Sequence, residues 1–144
     1  MNDSFSLMIH GGAGTREHIR REGRESAVRD SIGRSLEGGR DILARQGSAL
    51  DAVEYCAIHL ENDPFYNAGR GSVLNEYGEV EMDAAIMDGR KFQAGAVAGI
   101  TAIQNPTALA RLVLDQSEHV MLIGKGASEF AQLHGVYILV VQYH

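Results

Sequence analysis

Hydrophobic and polar positions follow two different periods along the chain, and the change comes near residue 72. Phe5 to Ile9 is a short, mostly apolar run that ends in His10-Gly11-Gly12-Ala13-Gly14, which predicts a buried strand breaking into a glycine turn. From about Glu22 to Gln46, Val28, Ile32, Leu36, Ile42 and Leu43 stand near helical spacing, although Gly33, Gly38 and Gly39 weaken that helix. Gly47 reads as its C-terminal stop. Ser48 with Asp51 three residues on reads as a shortened capping box that opens a second helix through about Leu60.

After Gly71 the pattern alternates. Val73-Leu74 and Val80 to Met87 flank Glu76-Tyr77-Gly78, which predicts a hairpin, and Asp88-Gly89 predicts another turn. Ala94 to Ile103 reads as a strand of small apolar residues that tolerates close packing on both sides. Asn105 before Pro106 predicts an N-cap and first helical residue, with Ala108, Leu109, Leu112 and Val113 on one stripe. Val120 to Ile123 follows as a buried strand and Ala127 to Leu133 as a short helix. The apolar tail from Tyr137 predicts a further strand that needs a neighbour. No repeat, low-complexity linker or internal boundary interrupts the chain, so we expect a single domain of mixed helices and strands, its sheet mixed or antiparallel rather than a regular βαβ series.

Composition sharpens this picture. With 144 residues, 44% of them apolar, the chain can bury a real core. A net charge of -6 argues against a nucleic-acid partner. No run of 18 apolar residues and no basic-led apolar opening occurs, so neither a membrane span nor a signal peptide is expected, and the predicted location is cytoplasmic. The lone cysteine, Cys56, sits in the apolar series Val53, Ala57, Leu60 and reads as a small buried hydrophobe. Charge is uneven: Glu61, Asp63, Glu76, Glu79, Glu81, Asp83 and Asp88 face Arg70 alone, a segment able to attract a cation.

Candidate chemistry is sparse. The His10 to Gly14 turn resembles an esterase oxyanion loop, but the G-x-S-x-G elbow that such enzymes need is missing. No phosphate-cradling glycine motif follows a strand, and His10, His18, His59, His119, His134 and His144 form no zinc-type spacing. Asp83 and Asp88 are better read as structural than as an acid/base pair. The segment Leu60 to Gly71 combines Pro64, Asn67, Gly69 and Gly71, residues that let a loop curl with several carbonyl groups inward, a hard oxygen set suited to a group I or II cation. On the residues alone, a plain surface loop is the favoured reading.

Three stretches together are more specific: MIHGGAGT near the start, GSALDAVEYCAIHLENDPFYNAGRGSVLNEYGEVEMDAAIMDG in the middle, and AGAVAGITAIQNPTALARLVLD after it. They closely resemble the N-terminal part of the plant-type isoaspartyl peptidase/L-asparaginases, which are N-terminal nucleophile hydrolases. That resemblance implies an α+β fold, the α-subunit part of an αββα four-layer sandwich. It implies a precursor that cuts itself before a threonine, whose hydroxyl then attacks the amide while its own α-amine acts as base. It implies L-asparagine and β-aspartyl dipeptides as small-molecule substrates, a β subunit of the same precursor as partner, and a dimer of αβ pairs.

No organic cofactor is implied. A structural sodium ion is, held by the main-chain oxygens of Leu60, Glu61, Asp63, Tyr66, Ala68 and Arg70. Asn67 would steady the nucleophile, and Gly11 and Gly12 would lie against the scissile bond during self-cleavage. Thr15, Thr101 and Thr107 stand in no cleavage-like sequence, so no catalytic nucleophile is expected within these residues and the chain by itself is expected to be inactive. The rival expectation is a truncated relative that serves as a non-enzymatic partner or an unstable fragment.

Overall fold

The computed structural model describes residues 4–13 and 17–136. A short helix α1 (Glu17–Arg21) precedes the long α2 (Glu25–Ala44), and α3 (Ala49–Glu61) folds back on it. Two of the three glycines of α2, each costing about 1 kcal/mol in helix propensity, are explained by this packing, Gly38 and Gly39, whereas nothing lies within 4 Å of a Cβ placed on Gly33. A Cβ on Gly38 would stand 2.2 Å from the Tyr55 ring, and one on Gly39 would stand 2.5 Å from Cys56 Sγ. Accordingly the fully buried stripe of α2 is Ser31, Ser35 and Gly39, while Val28, Ile32 and Leu36 are only half-buried beside it. Ser35 Oγ donates to the Cys56 carbonyl and Cys56 Sγ to the Ser35 carbonyl, both at 3.3 Å, so the predicted burial of Cys56 holds. The capping box also forms: Asp51 N donates to Ser48 Oγ at 3.0 Å and Ser48 N to Asp51 Oδ2 at 3.4 Å.

A loop and a 3-10 turn (Gly69–Gly71) lead to the sheet, built from β1 (Met82–Asp88), β2 (Gln93–Ile100) and, after α4 (Pro106–Gln116), β3 (Met121–Ile123). Strand order is β1-β2-β3, with β1 and β2 antiparallel and β2 and β3 parallel. The parallel pair is joined by the α4 crossover, which packs on β2 and β1, and α5 (Gly124–Leu133) packs on β2 and β3. Gly95 makes the close approach possible, because a Cβ there would stand 2.2 Å from the Ala110 carbonyl of α4. Ile86, Val97, Ile100, Leu109, Val113 and Ala127 form the heart of the core between sheet and helices. The α+β class expected from the sequence is therefore present.

Four local expectations are corrected. Residues 4–13 carry no strand, and Met8 is 91% exposed, because no strand among the described residues lies alongside to pair with them. Val73-Leu74 is not a strand of a hairpin. Asn75 instead closes a tight turn, its Oδ1 accepting from Tyr77 N and Glu79 N at 2.9 Å, and the true hairpin is β1–β2 across Asp88 and Gln93. Asn105 makes no N-cap hydrogen bond to α4, because its amide is taken up by α3 and the loop after it. Val120 to Ile123 forms a strand but not a buried one: Met121 is 52% and Ile123 65% exposed, since both lie on the sheet face opposite α4 and α5, which no helix among the described residues covers. The tail strand expected from Tyr137, like Gly14 and Thr15, lies outside the described residues.

Candidate functional site

The segment after α3 is held from two sides. Towards α2, Ser31 Oγ donates to Asp63 Oδ2 and Tyr66 Oη donates to the Val28 carbonyl at 3.4 Å. The Tyr66 side chain is buried, and its ring sits where a Cβ on Gly11 would come within 3.0 Å, so the glycine turn and the loop are neighbours through that ring. Gly12 adopts a φ of 112°, which a side chain rarely tolerates, but nothing lies within 4 Å of its missing Cβ.

Towards α4, the carboxylate of Glu61 takes the role that Asn105 was expected to play. Its Oε1 accepts from Thr107 N at 2.9 Å and from Thr107 Oγ1, and its Oε2 accepts from Asn105 Nδ2 at 3.2 Å. Glu61 is 4% exposed, and burial pushes its carboxyl above the ordinary range, partly offset by the Thr107 and Asn105 donors.

Within the loop, carbonyl groups turn inward. Leu60 O accepts from Asp63 N, Asp63 O from Tyr66 N, Tyr66 O from Ala68 N and Ala68 O from Gly71 N, at 2.8 to 3.3 Å. Each carbonyl keeps a second lone pair. Gly69 (φ 51°) lets the Glu61 carbonyl come within 2.4 Å of where its Cβ would stand, and at Gly71 the Tyr66 and Pro64 carbonyls would lie 2.2 and 2.8 Å from such a Cβ. Asn67 is exposed, and its Oδ1 accepts from Val73 N at 2.9 Å, which fixes the exit of the loop.

Between loop and sheet opens a cavity of about 470 Å³, lined by Glu61, Asn67, Ser72, Glu81, Asp83 and Thr107 among others. Asp83 and Asp88 are structural, as predicted: Asp83 Oδ1 accepts from Gly99 N at 2.8 Å across the irregular start of the β1–β2 ladder, and Asp88 Oδ1 accepts from Arg90 N in the hairpin turn. No cluster of His, Cys, Asp and Glu side chains suited to a metal occurs among the described residues. The structure thus joins Gly11, Tyr66 and the loop, and places Asn67 with Glu61 on one cavity. The Glu61 to Thr107 link is the feature that sequence reading missed.

Comparison with known proteins decides the family. The asparaginase family profile matches residues 3–143. The chain belongs to the asparaginase family. It is 50% identical over 131 residues to the plant-type L-asparaginase of Thermococcus kodakarensis, with 90% of this chain and 41% of that protein covered. It is 46% identical over 133 residues to the isoaspartyl peptidase/L-asparaginase of Mus musculus, covering 92% of this chain and 40% of that protein. The corresponding protein of Bos taurus is 48% identical over 130 residues, with 90% and 41% covered. The chain therefore spans about two fifths of the length of these relatives. No helix among the described residues is long and apolar enough to cross a membrane.

Proposed function

We propose that these residues are the α-subunit portion of a cytoplasmic amidohydrolase that hydrolyses L-asparagine and β-aspartyl dipeptides. The nucleophilic threonine, freed by self-cleavage, is supplied by a β subunit of the same precursor, and two αβ pairs form the working dimer. The observation that carries this reading is a pairing within one family member: a loop fixed from two sides, next to a sheet that helices cover on one face only among the described residues.

The sheet supports the four-layer arrangement. Helices α4 and α5 cover the face that carries Ala84, Ile86, Val97 and Leu122. The opposite face presents Ala85, Met87, Ala94, Ala96, Ala98, Met121 and Ile123, with Met87 58% exposed. An antiparallel sheet that meets water on one side alternates apolar with polar residues, whereas this outer face is apolar along most of its extent. Such a face suits a second sheet packed about 10 Å away, as in an αββα sandwich.

The loop supports the sodium ion. Main-chain oxygens of Leu60, Glu61, Asp63, Tyr66, Ala68 and Arg70 would hold it, and the Cβ-free space at Gly69 and Gly71, into which the Glu61, Pro64 and Tyr66 carbonyls reach, brings hard oxygens to the density that a group I cation requires. The ion would supply fixed positive charge that keeps these dipoles converged. Asn67, rigid through its bond from Val73 N, would then present its amide to the cavity and steady the incoming threonine, with Gly11 and Gly12 near the cleavage point.

The test is turnover. These residues expressed alone should release no ammonia from L-asparagine, and joined to the remainder of the reading frame they should release it and also free aspartate from β-aspartyl dipeptides. Ammonia release by the 144 residues alone, or silence of the cleaved full-length protein towards both substrates, overturns the proposal.

A further inference from the structure

Helix α4 forgoes a cheap local cap for an expensive distant one. Asn105 stands where a neutral side chain could bond the first free N–H groups, yet it makes no such bond. The Thr107 N–H is instead met by a carboxylate from 46 residues earlier, buried and paired with no Lys or Arg among the described residues. Burying an unpaired carboxylate among neutral donors costs stability unless the bonds are numerous and well aligned. Three donors from α4 and its N-terminal residue converge on Glu61 here, and Asn62 Oδ1 adds two more ties, accepting from Gln104 Nε2 and Asn105 Nδ2 at 3.0 Å each.

The main chain of Glu61 borders the end of the loop. Its carbonyl lies 2.4 Å from where a Cβ on Gly69 would stand, against the far limb of the loop. One residue therefore connects the first turn of α4 to the 3-10 turn that ends the loop. On the opposite flank Ser31 and Val28 hold Asp63 and Tyr66, so the loop is stretched between two helices. We infer that the Glu61 side chain is a positioning residue: it sets the shape of the Leu60 to Gly71 loop, and through it the inward carbonyls and Asn67. The part of this inference that concerns the ion rests on the sodium reading above; the part that concerns loop shape does not.

Hydrogen exchange on the full-length protein separates this role from simple capping. Glu61→Ala should speed exchange of the Asp63, Tyr66, Ala68 and Gly71 amides about tenfold or more, the factor expected for a lost charge-assisted hydrogen bond. Thr107→Val, which removes one donor and keeps the shape, should speed the same amides by a smaller factor, and Glu61→Gln should restore part of the protection. Arg111→Ala breaks the α3–α4 ion cluster instead and should leave those four amides at the wild-type rate. If Glu61→Ala fails to fold, Thr107→Val decides.

Faster exchange confined to α4, or uniform across the chain, overturns the inference. As a second readout, the rise in Tm when a bulky organic cation is replaced by Na⁺ should shrink in Glu61→Ala. A wild-type protein with no such rise removes the sodium reading and leaves loop protection to judge the clamp.

Discussion

The loop after α3 and the outer face of the sheet are opposite kinds of surface. The loop is closed by hydrogen bonds: its N–H groups reach its own carbonyls, its acids meet Ser31 of α2 and Thr107 of α4, and glycines give the backbone room to crowd. The outer face has a paired backbone, and its larger apolar side chains Met87, Met121 and Ile123 are each more than half exposed. A segment rich in turn residues is thus the finished part of the structure, and a segment of small and apolar strand residues is the unfinished part. The difference lies in where the partners are. Main-chain hydrogen bonds of a loop can close within a dozen residues, but an apolar sheet face is completed only by another layer.

The sharpest way to break the loop is Gly71→Ala. Its Cβ would collide with two backbone carbonyls that cannot rotate away, so a loss of about 3 kcal/mol or more is expected, read as a fall in the urea midpoint at unchanged slope. The outer face is probed next by Ala96→Glu on the central strand. If a second layer covers that face, the full-length protein should lose on the order of 3 kcal/mol by burying an unpaired carboxylate. The 144 residues alone should change by less than about 0.5 kcal/mol. Equal effects in both would show that nothing covers the face.

Asn67→Ala divides stability from function. The Val73 N–H is solvent-accessible enough to find water, so about 1 kcal/mol or less of stability is at stake. Turnover of L-asparagine by the cleaved protein should fall at least about tenfold if the amide positions the nucleophile, a loss of roughly 1.4 kcal/mol of transition-state stabilisation. An unchanged rate would reduce Asn67 to a turn residue.

The smallest effect contrasts the loop with the α3–α4 contact, where charges are openly paired. Arg111 Nη1 binds Asp51 Oδ1 at 3.1 Å and Glu54 Oε2 at 2.9 Å. The Ser48 hydroxyl, and then Arg111, hold the Asp51 carboxyl below its ordinary value. Its folded pKa is lower than its unfolded one, so its contribution is complete above the ordinary value of about 3.9 and is lost as pH falls through the folded value. Burial raises Glu54, which gives the opposite slope: its contribution is lost as pH rises through its folded value. Asp51→Asn should therefore flatten the acid limb of a Tm-against-pH curve, and Glu54→Gln should steepen it. No change in either would remove the cluster from the stability account.

Much of the fold was legible because it depends on near neighbours. The capping box of Ser48 and Asp51, the burial of Cys56, the Asp88 turn and the small-residue strand β2 all follow from spacing of a few residues. The sequence also carried the family, through the three stretches that resemble asparaginases, and the family profile bears this out over residues 3–143. Tertiary structure alone decided which stripe of α2 is buried, that the Met121 and Ile123 side chains of β3 are exposed, and that Glu61 rather than Asn105 caps α4. These depend on which distant surfaces meet. Local patterns rank residues by what they could do, but burial and hydrogen-bond partnership are properties of pairs, and the chain fixes those pairs only once its helices and strands have packed.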